Sequence, residues 1–430
     1  MTSFADLGLP RPIVNVLAKQ GITEPFPIQE EAIPDAMAGR DVLGRGPTGS
    51  GKTFTFGLPM LARLAGAPSK PGHPRGLILA PTRELATQIR ERLDDPAAAL
   101  GLRLLDVVGG VNINNHLRSL AAPVDVLVAT PGRAEDLINQ RKLFFDHVEV
   151  TALDEADQMA DMGFLPQVRK LLDRTPKGGQ RLLFSATLDG DVEKLIARYM
   201  TNPVTHSTAP VQAAVGTMEH YRLLVGDRDE RGDVVLRIGA REGKTIMFMR
   251  TKHGVDRQVK KLRRAGINAQ GLHGDKGQGA RTRALEGFGD GSAPVLVATD
   301  IAARGIDVDD VSLVVHVDPP AEHKAYLHRA GRTARAGSSG TVVTLVLDEQ
   351  EKEVQQLMNK AGVSATPVRV TAESAELAKI TGARTPSGTP LPPPGQPQQT
   401  KRATTVRNGK PTNPAGRASR RRPRSSSGRS

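Results

Sequence analysis

The segment Gly46-Pro47-Thr48-Gly49-Ser50-Gly51-Lys52-Thr53 constrains this chain more than any other. It matches GxxxxGK[ST], follows the apolar pair Val42-Leu43 and precedes the apolar stretch 54–64, so it reads as a strand-to-helix turn. Glycines let backbone N–H groups converge on phosphate oxygens, and the N-terminus of the following helix adds positive potential. Lys52 adds a full charge, and the Thr53 hydroxyl suits a Mg²⁺ ion. A glycine-rich turn that binds nothing is the competing reading, and the strand–loop–helix setting weighs against it.

A loop of this kind needs a parallel sheet behind it. Short apolar runs at 77–80, 124–129, 181–184, 245–248, 295–298 and 312–317 read as buried strands, with a weaker one at 148–153. They alternate with helical patterns such as 83–93, 192–199 and 254–265. The alternation predicts α/β units whose parallel sheets are covered on both faces. The Pro-, Thr- and Ala-containing stretch 202–216 separates two such series and is the expected hinge. The pentapeptide VLVAT occurs twice, at 126–130 and 295–299. It marks either the small alphabet of apolar strands or a duplicated domain.

About 100 residues after the glycine-rich loop comes Asp154-Glu155-Ala156-Asp157, at the end of the weaker strand. Alone, it is an acidic helix N-terminus. Combined with a phosphate loop it becomes a nucleotide-hydrolysis site, in which two carboxylates at a strand's carboxyl end can hold Mg²⁺ through water and orient an attacking water. Other polar clusters also follow strands: Pro81-Thr82-Arg83-Glu84-Leu85, Thr130-Pro131-Gly132-Arg133, Ser185-Ala186-Thr187 and Thr299-Asp300. Ligands of open parallel sheets bind beyond the carboxyl ends of strands, so these loops should line one edge of each sheet. Helix capping by Thr and Ser explains any one loop but not the set. In the second half, His328-Arg329-Ala330-Gly331-Arg332-Thr333-Ala334-Arg335 sets three guanidiniums on a short span. That suits charge building on a transferred phosphoryl group, although a solvated basic face is the usual meaning of such a run. The histidines show no metal spacing such as HExxH.

Charge points to a polyanion. The chain carries +13, and ten of its basic residues with no acidic one fall between Lys401 and Ser430, which leaves +3 for the first 400 residues. The Pro-, Gly- and Gln-rich stretch 385–399 and the Arg/Ser/Pro-rich end are expected to be disordered, because they cannot bury enough apolar surface. No run of about 18 apolar residues spans a bilayer, no leader is evident, and the absence of Cys fits a reducing compartment, so the expected location is cytoplasmic.

Together these residues resemble the DEAD-box family of superfamily 2 RNA helicases, over roughly residues 4–347. The resemblance implies an α/β protein with two tandem RecA-like domains and parallel sheets, followed by a disordered basic C-terminal tail. The expected boundaries are 1–205, a linker at 206–217, 218–368, and a tail at 369–430. The resemblance implies ATP and Mg²⁺ as cofactors. Lys52, Asp154, Glu155, Arg332 and Arg335 would be catalytic, the last two as arginine fingers, and Thr53 and Asp154 would hold the metal. ATP would contact Pro47, Thr48, Gly49, Ser50, Gly51, Lys52, Thr53 and Asp300, with Gln29 reading adenine and Phe4 stacking on it. RNA would contact Pro81, Thr82, Arg83, Gly110, Thr130, Pro131, Gly132, Arg133, Arg250, Thr251, Thr299 and Arg304. Ser185, Thr187 and His328 would couple the two ligands; Gln278 and Arg281 also match a family segment. Four positions depart from the family pattern: Ile22 replaces an aromatic, Phe26 a Thr, Ala334 a Gly and Ala134 a Leu.

The implied function is ATP-dependent local unwinding of short RNA duplexes, or remodelling of RNA–protein complexes, with little sequence preference. The implied partner is RNA, with ribosomal particles or RNA-decay machinery beyond it. A DNA translocase uses a similar motor, but Gln29 with the DEAD and SAT segments favours RNA. A non-enzymatic RNA clamp would not need the intact set Lys52, Glu155, Arg332 and Arg335.

Overall fold

The computed structural model describes residues 2–46, 50–188, 190–207, 218–303, 308, 310–334 and 340–393. Its frame is two seven-stranded sheets. The first contains β1 (Val42–Arg45), β2 (Gly76–Leu79), β3 (Leu104–Val107), β4 (Val126–Ala129), β5 (Val150–Leu153), β6 (Gln180–Ser185) and β7 (Val204–Ser207). The second contains β8 (Met218–Val225), β9 (Lys244–Phe248), β10 (Ala269–Leu272), β11 (Val295–Ala298), β12 (Val311–His316), β13 (Gly340–Leu347) and β14 (Thr366–Arg369). All pairings are parallel.

The first sheet runs β3-β4-β2-β5-β6-β1-β7 and the second β10-β11-β9-β12-β13-β8-β14. Each strand of the first thus has a counterpart seven places later in the second. The two VLVA runs are β4 and β11, which occupy the same position in their sheets. That equivalence favours duplication over a shared small alphabet.

The apolar runs are continuous because parallel strands are buried on both faces. One layer of core, containing Phe56, Ile78 and Val128, packs on one face of the first sheet; another, containing Leu77, Leu127 and Leu153, packs on the other. The second sheet repeats this, with Met247 and Val297 on one face and Ile246 and Leu296 on the other. No helix among the described residues is long and apolar enough to cross a membrane.

Two expectations need correction. The stretch 202–216 is not wholly linker, since β7 pairs with β1 and extends the first sheet to Ser207; residues 208–217 lie outside those described. The tail expected from residue 369 starts later. β14 pairs with β8, and the helix Ala375–Thr381 buries Leu377 completely in the second core. Beyond it, Arg384 N–H donates to Arg237 O, Gly388 N–H to Ala265 O and Leu391 N–H to Arg263 O. Composition hid this segment because it binds through backbone hydrogen bonds and one buried Leu rather than through a long apolar run. The expectation of disorder for 394–430 lies outside the described residues.

Candidate functional site

The glycine-rich loop leaves β1 and enters the helix Lys52–Leu64. Pro47, Thr48 and Gly49 lie outside the described residues. Gly51 has φ +88, and a Cβ there would stand 2.6 Å from Gln29 Nε2, so conformation and space both require glycine. Gln29 is buried, with Oε1 accepting from Phe26 N–H (2.8 Å) and Nε2 donating to Gly51 O (2.9 Å). Its amide thereby ties the segment at Phe26 to the glycine-rich loop. Lys52 is buried and donates to Gly46 O (3.0 Å); Ser50 and Thr53 are half-buried beside it.

Asp154, Glu155 and Asp157 follow β5 and are all buried. Burial pushes the Asp154 carboxyl up to about 7; the Lys52 charge opposes this, and Glu155 adds to it. A buried acid within the field of the Lys52 charge fits a divalent-cation ligand. Glu155 has φ 54 and ψ 51, a left-handed conformation that non-glycine residues rarely hold.

A cavity of about 510 Å³ adjoins the loop, lined by Gln20, Ile22, Phe26, Gln29, Gly51, Phe54, Gln88, Glu91 and Arg92. Phe4, expected to stack on a base, does not line it. The N-terminal turn folds Phe4 into the core with Leu7 and Ile33, leaving it 2% exposed, whereas Phe26 is 44% exposed. The structure thus corrects the placement of Phe4, because an isolated aromatic near the start of a chain reads equally as core or as base platform.

Ser185 ends β6 and joins Asp157 to Thr187. Asp157 N–H donates to Ser185 Oγ (3.1 Å), Ser185 Oγ donates to Thr187 O (2.6 Å), and Asp157 Oδ2 accepts from Thr187 N–H (2.9 Å) and Oγ1 (3.2 Å). From the second half, His328 Nε2 stands 3.9 Å from the same Asp157 Oδ2. The three expected coupling residues therefore meet at one carboxylate.

His328 belongs to the helix His323–Ala330. Its neighbour Arg329 binds Asp300 through both carboxylate oxygens (2.5 and 2.8 Å), donates to Asp318 O and lies over the Phe248 ring. Of the three arginines, Arg329 thus orients Asp300, a role the sequence reading missed; an acid 29 residues away, at the start of the helix after β11, carried no local signal. Arg332 is buried, with Nε donating to His328 O (3.3 Å). Arg335 and Arg304 lie outside the described residues. Ala334, where the family pattern has Gly, holds φ 53.

The other end of the first sheet's carboxyl edge carries β2 and β4. Thr82 caps the helix Arg83–Ala99, accepting from Leu85 N–H, and Thr251, after the equivalent strand β9, caps Lys252–Arg264, accepting from Gly254 N–H. Thr130, after β4, makes no such cap at Pro131–Asn139. Capping thus accounts for one symmetry-related pair only. Arg83 packs across Gly109-Gly110; Gly110 has φ +74, and a Cβ there would lie 1.9 Å from Arg83 Nη1. Arg133 donates to Val111 O (3.1 Å) and His116 Nδ1 (2.8 Å), and burial followed by the Arg133 charge lowers the His116 pKa.

A cavity of about 390 Å³ gathers Pro81, Thr82, Arg83, Gly109, Thr130, Gly132 and Arg133 with Gly274, Arg281, Ile301 and Ala302 of the second half. Arg281 Nε donates to Glu84 Oε1 (2.6 Å), both buried, and Arg83 Nη1 donates to Gln278 Oε1 (3.4 Å). Arg250 and Thr251 are exposed and Thr299 half-buried at the second sheet's carboxyl edge, outside that cavity.

This geometry defines a two-sheet protein that places a glycine-rich loop and an acidic pair at one end of an inter-domain cleft and a polar groove at the other. The DEAD/DEAH box helicase family matches residues 26–195, and the helicase conserved C-terminal domain matches 230–337. The chain is 36% identical over 359 residues to the DEAD-box ATP-dependent RNA helicase CshA of Bacillus cereus, covering 83% of this chain and 68% of that protein. It is 39% identical over 348 residues to the ATP-dependent RNA helicase CshA of Listeria monocytogenes, covering 80% and 66%. It spans only 49% of the length of other curated relatives it matches. Among solved structures, S. cerevisiae Dbp5 bound to RNA and ADP BeF3 aligns with TM-score 0.79 at 28% identity, over 89% of this chain and 99% of that one. A Dbp5 variant bound to Nup159, Gle1, IP6 and ADP aligns with TM-score 0.59 at 26% identity, over 87% and 98%. The chain belongs to the DEAD-box helicase family, and its two domains are RecA-like.

Proposed function

We propose that the protein is an RNA-stimulated ATPase that parts short RNA duplexes or remodels RNA–protein complexes, by closing its two domains on ATP and single-stranded RNA. The observation that carries this reading is the pair of contacts across the cleft: the 3.9 Å approach of His328 to Asp157 on the nucleotide side and the Arg281–Glu84 ion pair on the RNA side. The higher similarity to an RNA- and ADP-BeF3-bound relative, 0.79 against 0.59 for the Nup159/Gle1-bound form, supports an arrangement competent for both ligands.

In this mechanism Lys52 and the loop N–H groups hold the phosphates, and Thr53 and Asp154 would hold Mg²⁺, which would neutralise phosphate charge when bound. Glu155 orients the attacking water, while Arg332 and Arg335 meet the charge developing on the γ-phosphate. Asp157 senses closure through His328 and relays it through Ser185 and Thr187. Binding of each ligand favours the closed arrangement and therefore the other ligand, a reciprocal coupling. RNA contacts fall on polar and backbone groups. With no Trp and three Tyr in the chain, base stacking is scarce, which favours recognition of phosphates and 2′-OH groups over sequence.

Turnover of Lys52→Ala and Glu155→Gln proteins with RNA or DNA of equal length tests the reading. Each substitution should lower RNA-stimulated ATPase at least about hundredfold, and RNA should stimulate the unaltered protein far more than DNA. Near-normal turnover in both variants would refute the site, and equal stimulation would favour a DNA translocase. Ribosomal particles and RNA-decay machinery are partner classes that crosslinked RNAs would separate, and a cytoplasmic location suits the cysteine-free chain.

A further inference from the structure

On the amino-terminal edge of the first sheet, away from Lys52 and Asp154, two turns meet in front of the neighbouring strands β2 and β5. Residues 70–73 form a tight turn closed by a bridge between Lys70 and His73, and residues 142–147 run beside it. Phe144 N–H donates to Gly72 O (2.9 Å). Gly72 has φ +73, and a Cβ there would stand 2.9 Å from Lys142 O, so only glycine lets the turns approach this closely. His73 stacks on Phe144 with ring centres 4.8 Å apart and planes 14° apart, which fixes its orientation.

This packing brings His73, Asp146 and His147 together. His73 Nδ1 lies 2.8 Å from Asp146 Oδ1, and His147 Nε2 lies 3.8 Å from Asp146 Oδ2. One ligand atom from each of the three residues lies within 4.8 Å of the others, the only such group of three among the described residues. Bonds of about 2.0–2.1 Å around a tetrahedral zinc ion set its ligands roughly 3.3–3.5 Å apart, so a shift of about an ångström in the Asp146 and His147 side chains would close the set around the fixed His73 ring.

We propose that His73, Asp146 and His147 bind one first-row divalent transition-metal ion, which ties the turns leading into β2 and β5. Two imidazoles and a carboxylate suit zinc and its neighbours in the row, whereas Mg²⁺ and Ca²⁺ demand oxygen ligands. Asp146 and His147 also border an open cavity of about 920 Å³, which gives solvent access to the remaining coordination positions. The site is separate from the nucleotide cation: Asp154 follows the carboxyl end of β5, whereas His147 precedes its amino end.

The full chain, free of any affinity tag and stripped of metal, would be titrated with Zn²⁺ by calorimetry in excess Mg²⁺. Co²⁺ would serve as a spectroscopic probe of the ligand field. The expected result is one Zn²⁺ per chain, weakened at least about tenfold in the His73→Ala/His147→Ala double variant and in Asp146→Asn. Visible Co²⁺ bands should likewise be lost, with RNA-stimulated ATPase retained. Should the double variant fail to fold, His147→Gln alone should still change the Co²⁺ spectrum. No Zn²⁺ uptake by the unaltered chain, or uptake and Co²⁺ spectrum unchanged by these substitutions, would overturn the proposal and leave a plain His–Asp hydrogen bond.

Discussion

Phe26, noted in the sequence only as a departure from the family pattern, takes the cavity-lining place expected of Phe4. Phe26 borders the cavity beside Gln29 and Gly51, while Phe4 lies in the core. Phe26→Ala should therefore raise the KM for ATP roughly fivefold or more with little change in kcat, the loss expected from one base–aromatic stack. Phe4→Ala should instead cost about 3–5 kcal/mol of stability, read as a lower Tm with KM nearly unchanged. Steady-state kinetics and thermal melts on both variants decide it; the reverse pattern would restore Phe4 as the stacking ring. The polar site residues were legible because phosphate chemistry allows few side chains: Lys52, Asp154, Glu155 and Arg332 lie where the loops expected to carry them emerge. Phe4 and Arg329 were not, since their partners Ile33 and Asp300 are distant in sequence and only packing reveals them. Ala334 was visible as a departure from the family pattern, but the positive φ it must hold was not.

At the scale of elements, the most informative contact joins the helix Arg83–Ala99 to the helix Gln278–Gly289. Glu84 and Arg281 are each under 10% exposed and 2.6 Å apart. Removing one partner of a buried ion pair costs about 3–5 kcal/mol, mostly because the other charge is left uncompensated. This pair spans the two domains, so its loss should appear in the closed state rather than in the stability of either half. Glu84→Ala and Arg281→Ala are each expected to weaken RNA binding in the presence of an ATP analogue at least about thirtyfold, with Tm nearly constant. The double variant should bind better than their summed losses imply. Additive losses measured by RNA titration would show that the two side chains act independently. The central strands β2, β4, β5, β6, β9, β11 and β12 were readable as apolar runs because both of their faces are buried, whereas β8 and β13, also inside their sheet, were not picked out. The edge strands β3, β7 and β14 were not, because their burial is partial and their sequences, such as Thr366–Arg369, look like loop.

Over the whole molecule, the matching strand orders place equivalent loops on two facing edges, and the cleft between them holds both candidate ligand sites. The chain past β14 splits into a packed part and residues 394–430. Deletion after residue 393 should leave Tm unchanged while weakening RNA binding. The salt dependence of that binding should become shallower by roughly 0.7 in log–log slope for each phosphate that the shortened chain no longer neutralises. Deletion after residue 370 also removes Leu377 and the backbone bonds to Ala265 and Arg237, so Tm should fall by at least about 5 °C. Equal Tm values in thermal melts of the two truncations would show that the segment 371–393 is not part of the second core.

Everything functional here depends on the two domains meeting when ATP and RNA are both present. The absence of cysteine makes a clean measurement possible, since single cysteines at exposed Glu193 and Glu353 can carry one donor and one acceptor dye. Single-molecule energy transfer between them should shift to a new value only when a non-hydrolysable ATP analogue and single-stranded RNA are added together, and Lys52→Ala should abolish the shift. Identical transfer in the free, ATP-analogue, RNA and doubly liganded states would contradict the account.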